Sequence, residues 1–289
     1  MTIGSGSHTY EHVEDWGKLP EGMGWGYVGG VLTDSQDRVY AFNGRNAEHP
    51  VQVLDRDGSF LYEWDPDVTR DPHGVFINSQ DQIHLMDRDG HYGLKCTTNG
   101  EVLLTLGTRD QPAEKDGGQP FNRPTRIVAA PNGELFISDG YGNSRIHRYS
   151  ADGKHLASWG EAGTEQGQFN LPHSLWLDRH GLLWVCDRQN LRIQVFTQDG
   201  EFVRMMTDLA RPGDLFIDDD DVVYVAEMDG RVSIFTYDGR LITSWGGEER
   251  TLEPGKFFAP HAMWVDSHGD IYVGEVNEAQ RIQKFARKG

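Results

Sequence analysis

The sequence predicts an all-β fold, a six-bladed β-propeller of four-stranded blades, and three observations predict it. One strand-and-turn unit recurs six times along the 289 residues. Asp-Gly and Asn-Gly dipeptides punctuate that unit between apolar runs. The stretches between turns alternate or run apolar for only a few residues, with no helical period. A single propeller domain over residues 1–289 follows, and a β-sandwich fits poorly because it does not require the same strand order six times.

The elements follow in order within each unit. The opening strand is GVLTD, GVFIN, RIVAA, SLWLD, DLFID or AMWVD, closed by a turn such as SQD, PNG, RHG or SHG. The second strand is VYAFNG, IHLMDRD, LFISDGY, LWVCDRQ, VVYVAEM or IYVGEVN. A hairpin follows in LDRDGSFLYEW, TTNGEVLLTLG, SADGKHLASWG, TQDGEFVRMM and TYDGRLITSWG. Its Asp-Gly or Asn-Gly is the signal of a type I′ turn, with positive φ at both central residues. Four short strands in roughly 40–50 residues make a blade, and the blades start near Val28, His73, Thr125, His173, Gly213 and His261. The last unit runs out after RIQKFARKG, so the N-terminal YEHVEDWG is expected to supply its outer strand and close the ring, removing a sheet edge. Residues 108–120 form a longer polar insertion. Trp64, Trp159 and Trp245 end outer strands at matching positions and are read as packing residues.

Composition narrows the function. A formal net charge of -18 argues against nucleic acid, since phosphate contacts need a basic face. No apolar run approaches the ~20 residues of a membrane helix. The N-terminus has no basic or apolar leader of the signal-peptide type, so the expectation is a soluble, cytoplasmic chain that does not engage membranes. Cys96 and Cys186 lie in strands, too few and too far apart for a disulfide framework or a paired metal motif.

The pattern that carries chemistry is a Pro-His pair opening three first strands. His73, His173 and His261 fall at one repeat position in blades two, four and six, and Gly29, Thr125 and Gly213 occupy it in blades one, three and five. First strands line a propeller's channel, so three imidazoles would converge with small residues between them. Three neutral nitrogen ligands and an open fourth position make a catalytic metal site, with zinc expected and iron or another divalent ion compatible with the donors. Duplication alone would place histidine in neighbouring blades as readily as in alternate ones. His84, His91, His147, His155, His180 and His268 are read as surface or packing residues.

Second-strand ends bring Tyr141, Arg188 and Arg45 toward that position. A tyrosine beside a metal cation is a candidate base, and arginines suit a bidentate grip on a carboxylate. The combination points to a small anionic substrate with an oxygen that binds the metal. Asp87, Asp139 and Asp187 recur at one repeat position, which points to a structural role.

The blades resemble NHL repeats, and SDGYGNSRI, GQFNLPHSL and DRQNLRIQVF resemble the peptidyl-α-hydroxyglycine α-amidating lyases over essentially the whole chain. The resemblance implies a six-bladed propeller with zinc held by His73, His173 and His261, Tyr141 as catalytic base, and Arg45 and Arg188 as substrate-binding arginines. It also implies the reaction, cleavage of an N-acyl-α-hydroxyglycine to a carboxamide and glyoxylate. Three positions depart from the family. Ala259 replaces a methionine. Ala262 replaces an aspartate that helps hold calcium, which argues against calcium here, although the Val28 and Val75 carbonyls are kept. Gly142 replaces a disulfide cysteine. With no leader and no attached monooxygenase domain, hormone amidation is not the expected role.

Three functions compete. The first is a metal-dependent lyase on a small α-hydroxy-amide or related hydroxylated carboxylate. The second is a zinc hydrolase of a lactone or amide, using metal-bound hydroxide. The third is a non-catalytic NHL scaffold that binds a protein partner of unknown identity, a role for which three histidines and Tyr141 are not needed.

Overall fold

The computed structural model describes residues 2–247 and 249–288. It is all-β, with the six four-stranded antiparallel blades of a β-propeller and one short 3-10 turn, Arg188–Asn190, among the described residues. None of its helices is long and apolar enough to cross a membrane. Blade one comprises Tyr27–Thr33, Val39–Gly44, Val51–Leu54 and Phe60–Glu63. Blade two comprises Pro72–Ile77, Ile83–Asp87, Tyr92–Cys96 and Val102–Leu106. Blade three comprises Arg126–Ala129, Leu135–Asp139, Arg145–Tyr149 and His155–Trp159. Blade four comprises Pro172–Leu177, Leu183–Asp187, Arg192–Phe196 and Phe202–Met206. Blade five comprises Pro212–Ile217, Val223–Glu227, Arg231–Phe235 and Leu241–Gly246. Blade six comprises Pro260–Val265, Ile271–Glu275 and Arg281–Arg287, and His8–Val13 adds its outer strand as expected. Thr2–Ser5 pairs outside that strand as a fifth, which the repeat did not signal.

The chain divides into two compact units, Met1–Pro66 with Gly213–Gly289, and Asp67–Pro212. In the second unit, blades two, three and four pack through their first strands. Met86, Phe121, Ile127 and Tyr149 fill the seam between blades two and three. Phe136, Phe169, Leu175 and Phe196 fill the next one. Each fully buried phenylalanine contributes about 2–3 kcal/mol of apolar transfer. In the first unit, Tyr10, Trp245, Phe257 and Phe285 form the corresponding cluster, so the N-terminal outer strand is fixed by packing as well as pairing. Trp64 is buried edge-on against Phe42, and Trp245 stacks on Tyr10, the packing roles expected of both.

The hairpins differ from the type I′ expectation. In all five, only the glycine has positive φ (Gly58, Gly100, Gly153, Gly200 and Gly239, at 84–92°). Its N–H returns to the carbonyl three residues earlier, as Gly58 does to Asp55 at 2.9 Å, and the next strand opens with a register shift. This is a type I turn followed by a left-handed glycine and a bulge, and it consumes one more residue than a two-residue loop. The first-strand turns are held by a different device. The Asp34, Asp178, Asp218 and Asp266 carboxylates each accept two backbone N–H groups of the turn and bond an aromatic on the second strand.

Candidate active site

The histidines of the Pro-His pairs stand in β-bulges. Pairing between first and second strands skips residues 73–74 in blade two, 173 in blade four and 261 in blade six. Blade one carries the same irregularity at Gly29. A bulge inserts an unpaired residue and re-aims its side chain. Here it turns one histidine per strand out of the sheet's alternation while Pro72, Pro172 and Pro260 stay in register. All three histidines are buried.

In the second unit, His73 and His173 lie with ring centroids 4.9 Å apart and rings nearly perpendicular. His73 Nδ1 is 2.7 Å from the Thr125 carbonyl, a bond that requires the proton on Nδ1 and leaves Nε2 a bare lone pair. The Tyr141 hydroxyl stands 3.3 Å from that Nε2 and 3.0 Å from His173 Nε2. Thr125, the residue at the histidine position of blade three, also donates its hydroxyl to the Pro172 carbonyl at 2.8 Å. One small residue thereby ties both histidine-bearing strands to blade three.

Tyr141 is positioned by its backbone. Its N–H meets the Arg123 carbonyl at 3.4 Å, and the Gly142 N–H meets that of Asn122 at 2.9 Å. A Cβ on Gly142 would fall 2.1 Å from Asn122 Oδ1, so the cysteine the family carries has no room here. Three guanidiniums face the Tyr141 ring, those of Arg188 at 5.4 Å, Arg88 at 5.5 Å and Arg123 at 5.8 Å. Arg188 Nη1 also approaches the phenol oxygen at 3.4 Å. Arg188 is 7% exposed and has no carboxylate partner among the described residues. Its neighbour Asp187 is occupied by the Asn170 N–H, Asn190 and Arg192. Arg88, by contrast, is paired with Asp71 at 2.7 Å and Asp89 at 3.2 Å, and Arg123 grips Asp89 through two nitrogens. Burial opposes the charge on Asp89, but Arg88 and Arg123 outweigh it and hold the carboxyl below its usual range.

Arg88, Arg123, Asp71 and Asp89 were not singled out from the sequence. One signal was present: Asp-Arg ends the second strand in blade two (Asp87-Arg88) as in blade four (Asp187-Arg188). The strand-end acids are structural, as their recurrence suggested. Asp87 accepts from Thr69, Gly90 and Tyr92, and Asp139 from Asn122, Asn143 and His147. Glu275 holds the Phe258 N–H and Arg281 in the same way.

The remaining predicted residues belong to the first unit. His261 Nδ1 is 3.2 Å from the Gly29 carbonyl, the same bond to the equivalent residue of another blade that His73 makes to Thr125. Arg45 follows blade one's second strand at φ 60°, exposed, its guanidinium 4.5 Å over the Tyr27 ring. Ala259 is buried against Met228 and Val276, so a blade-five methionine packs on the position where the family has its own. Ala262 is buried, and its side chain has no oxygen to offer a cation. Cys96 and Cys186 are buried and form no disulfide among the described residues.

The NHL repeat model matches residues 121–149 and 169–196, the first three strands of blade three and the first three of blade four. NHL repeat-containing protein 3 of Homo sapiens is 30% identical over 287 residues, covering 93% of this chain and 82% of that protein. The chain belongs to the NHL-repeat family. It is also similar to peptidyl-alpha-hydroxyglycine alpha-amidating lyase 1 of Drosophila melanogaster, at 30% identity over 80% of this chain and 47% of that protein. Among solved structures, a gluconolactonase from Xanthomonas campestris superposes with a TM-score of 0.68 at 12% identity, over 99% of this chain and 95% of that one. A streptogramin B lyase superposes with a TM-score of 0.63 at 16% identity, over 97% and 87%. The two structures share the fold, and the chain is related to enzyme propellers.

Proposed function

We propose that this NHL-repeat chain is a metal-dependent lyase that cleaves a small N-acyl-α-hydroxyglycine or a closely related hydroxylated carboxylate. The observation that carries the reading is the Tyr141 phenol set against the Nε2 atoms of His73 and His173 with the buried Arg188 guanidinium beside it. A packing tyrosine has no use for two imidazole nitrogens and an arginine without a carboxylate partner among the described residues.

The donor set fits a divalent ion. His73, His173 and His261 are buried imidazoles, a suitable group of metal ligands. The bonds from His73 Nδ1 to Thr125 and from His261 Nδ1 to Gly29 fix the tautomer that ligation by Nε2 needs. A zinc or similar ion held by these three would polarise the substrate's α-hydroxyl as a Lewis acid. Arg188 would hold the substrate carboxylate, since its guanidinium has no carboxylate partner among the described residues. Tyr141 would take the hydroxyl proton as the C–O bond becomes a carbonyl. The C–N bond then breaks, its electrons pass to the amide nitrogen, and that nitrogen ends with the proton, giving a carboxamide and glyoxylate.

The test is glyoxylate release from N-acyl-α-hydroxyglycines by the wild type and Tyr141→Phe. Turnover should fall by at least about 100-fold in the variant while bound metal is unchanged. Full activity in Tyr141→Phe overturns the reading. Release of an acid carrying label from heavy-oxygen water, without glyoxylate, assigns the hydrolase instead.

A further inference from the structure

Arg88 and Arg188 directly follow the second strands of blades two and four, on either side of the blade that carries Tyr141, and both face its ring. Their electrostatic situations are opposite. Arg188 has no carboxylate partner among the described residues, whereas Arg88 is balanced by Asp71 and Asp89. Burial works against the Arg88 charge, and the two acids outweigh it and keep the guanidinium protonated. Yet Arg88, only 8% exposed, has a buried Nε–H without a hydrogen-bond partner. A buried donor left unpaired costs about 1–3 kcal/mol, and the ion pair through Nη2 holds this one rigidly. A neutralised arginine with one spare donor suits a neutral oxygen rather than a second anion.

We infer that Arg88 reads the acyl half of the substrate, donating from Nε to the amide carbonyl oxygen, while Arg188 reads the carboxylate. This rests on the lyase reading above and names what that site recognises beyond the hydroxyglycine itself: a neutral acyl carbonyl rather than a second charge. As the C–N bond breaks, negative charge leaves on nitrogen and spreads to the adjoining carbonyl oxygen. A fixed donor there stabilises the departing amide, and removing one such donor costs on the order of 100-fold or more in turnover. After proton transfer the product is a neutral carboxamide, to which the bond is weaker, so the contact also favours release.

The experiment measures glyoxylate release from N-benzoyl-α-hydroxyglycines with electron-withdrawing and electron-donating ring substituents, in the wild type, Arg88→Lys and Arg88→Gln. Arg88→Lys keeps the charge for Asp71 and the fold but has no donor at the Nε position. It should lose about 100-fold in kcat with KM little changed. The loss should deepen for the electron-rich acyl groups, whose amides leave less readily, giving a steeper substituent dependence than in the wild type. Arg88→Gln, which loses the charge but carries an amide N–H at the Nε position, should keep a slope closer to that of the wild type than Arg88→Lys does. A wild-type rate and slope in Arg88→Lys overturns the assignment, and so does a loss equal for every substituent, which marks a purely structural role. No glyoxylate from the wild type on any member overturns the lyase reading itself, and Arg88's role with it.

Discussion

Gly74→Ala probes the coupling between backbone packing and the proposed metal site. Gly74 follows His73, and a Cβ built on it lies 2.1 Å from the Thr125 carbonyl oxygen and 2.6 Å from Arg126 Cα. Both obstacles are backbone, so no side chain can swing aside. Relief requires the carbonyl to retreat by at least about 1 Å. That oxygen is also the acceptor for His73 Nδ1, at 2.7 Å. The same retreat would stretch the bond to roughly 3.7 Å, outside hydrogen-bond range, and free the imidazole to turn or change tautomer. Overpacking of this kind costs about 1–3 kcal/mol, and loss of a ligand's supporting bond weakens metal binding by about 10–100-fold. The assay is zinc affinity by chelator competition, with thermal unfolding alongside. Gly24→Ala, with nothing within 4 Å of its added Cβ, is the control and should leave both unchanged. Wild-type zinc affinity in Gly74→Ala would refute the claim that the Thr125 carbonyl sets the His73 ligand.

The remaining predictions concern pH and the phenol. Burial, and secondarily Lys95, pushes the buried His84 down to about 4, and its Nδ1 has no hydrogen bond. Because the folded pKa lies below the unfolded one, this group's contribution is complete above about pH 6.5 and is lost as pH falls toward 4, roughly 3 kcal/mol in all. Denaturant unfolding between pH 7 and 4 should therefore show a decline that His84→Leu flattens, and an identical decline in both proteins would remove His84 as its cause. Tyr141→Phe keeps the aromatic contacts with His73 and His173. Its melting temperature should move by only a few degrees, so that its loss of turnover reports chemistry rather than unfolding.

Much of the fold was legible because a repeat states each local rule several times. The Asp-Gly and Asn-Gly hairpins, the strand-end acids and the missing outer strand of blade six were all readable, and His8–Val13 fills that gap. Turn type was not, because Asp-Gly satisfies both a two-residue turn and a longer one with a left-handed glycine, and only the register decides. The fifth strand, Thr2–Ser5, rests on pairing to a neighbour and has no copy elsewhere in the chain. Within the candidate site, alternation of histidine with small residues marked His73, His173 and His261. The bulges that re-aim them were invisible, since a bulge is a mismatch between two strands and belongs to neither sequence alone. Tyr141 and Arg188 were found as second-strand ends and lie together. Arg88 shares Arg188's Asp-Arg context but ends a different motif, and its importance appears only once Asp71 and the Tyr141 ring are seen around it.

The central claim is that the three Pro-His histidines hold one catalytic metal. Its most direct test is the metal content of the purified wild type and His173→Ala by mass spectrometry, after incubation with zinc and removal of excess. One zinc or comparable divalent ion per wild-type chain, absent from the folded variant, is the predicted result. No bound metal in the wild type, or equal metal in both proteins, would contradict the account.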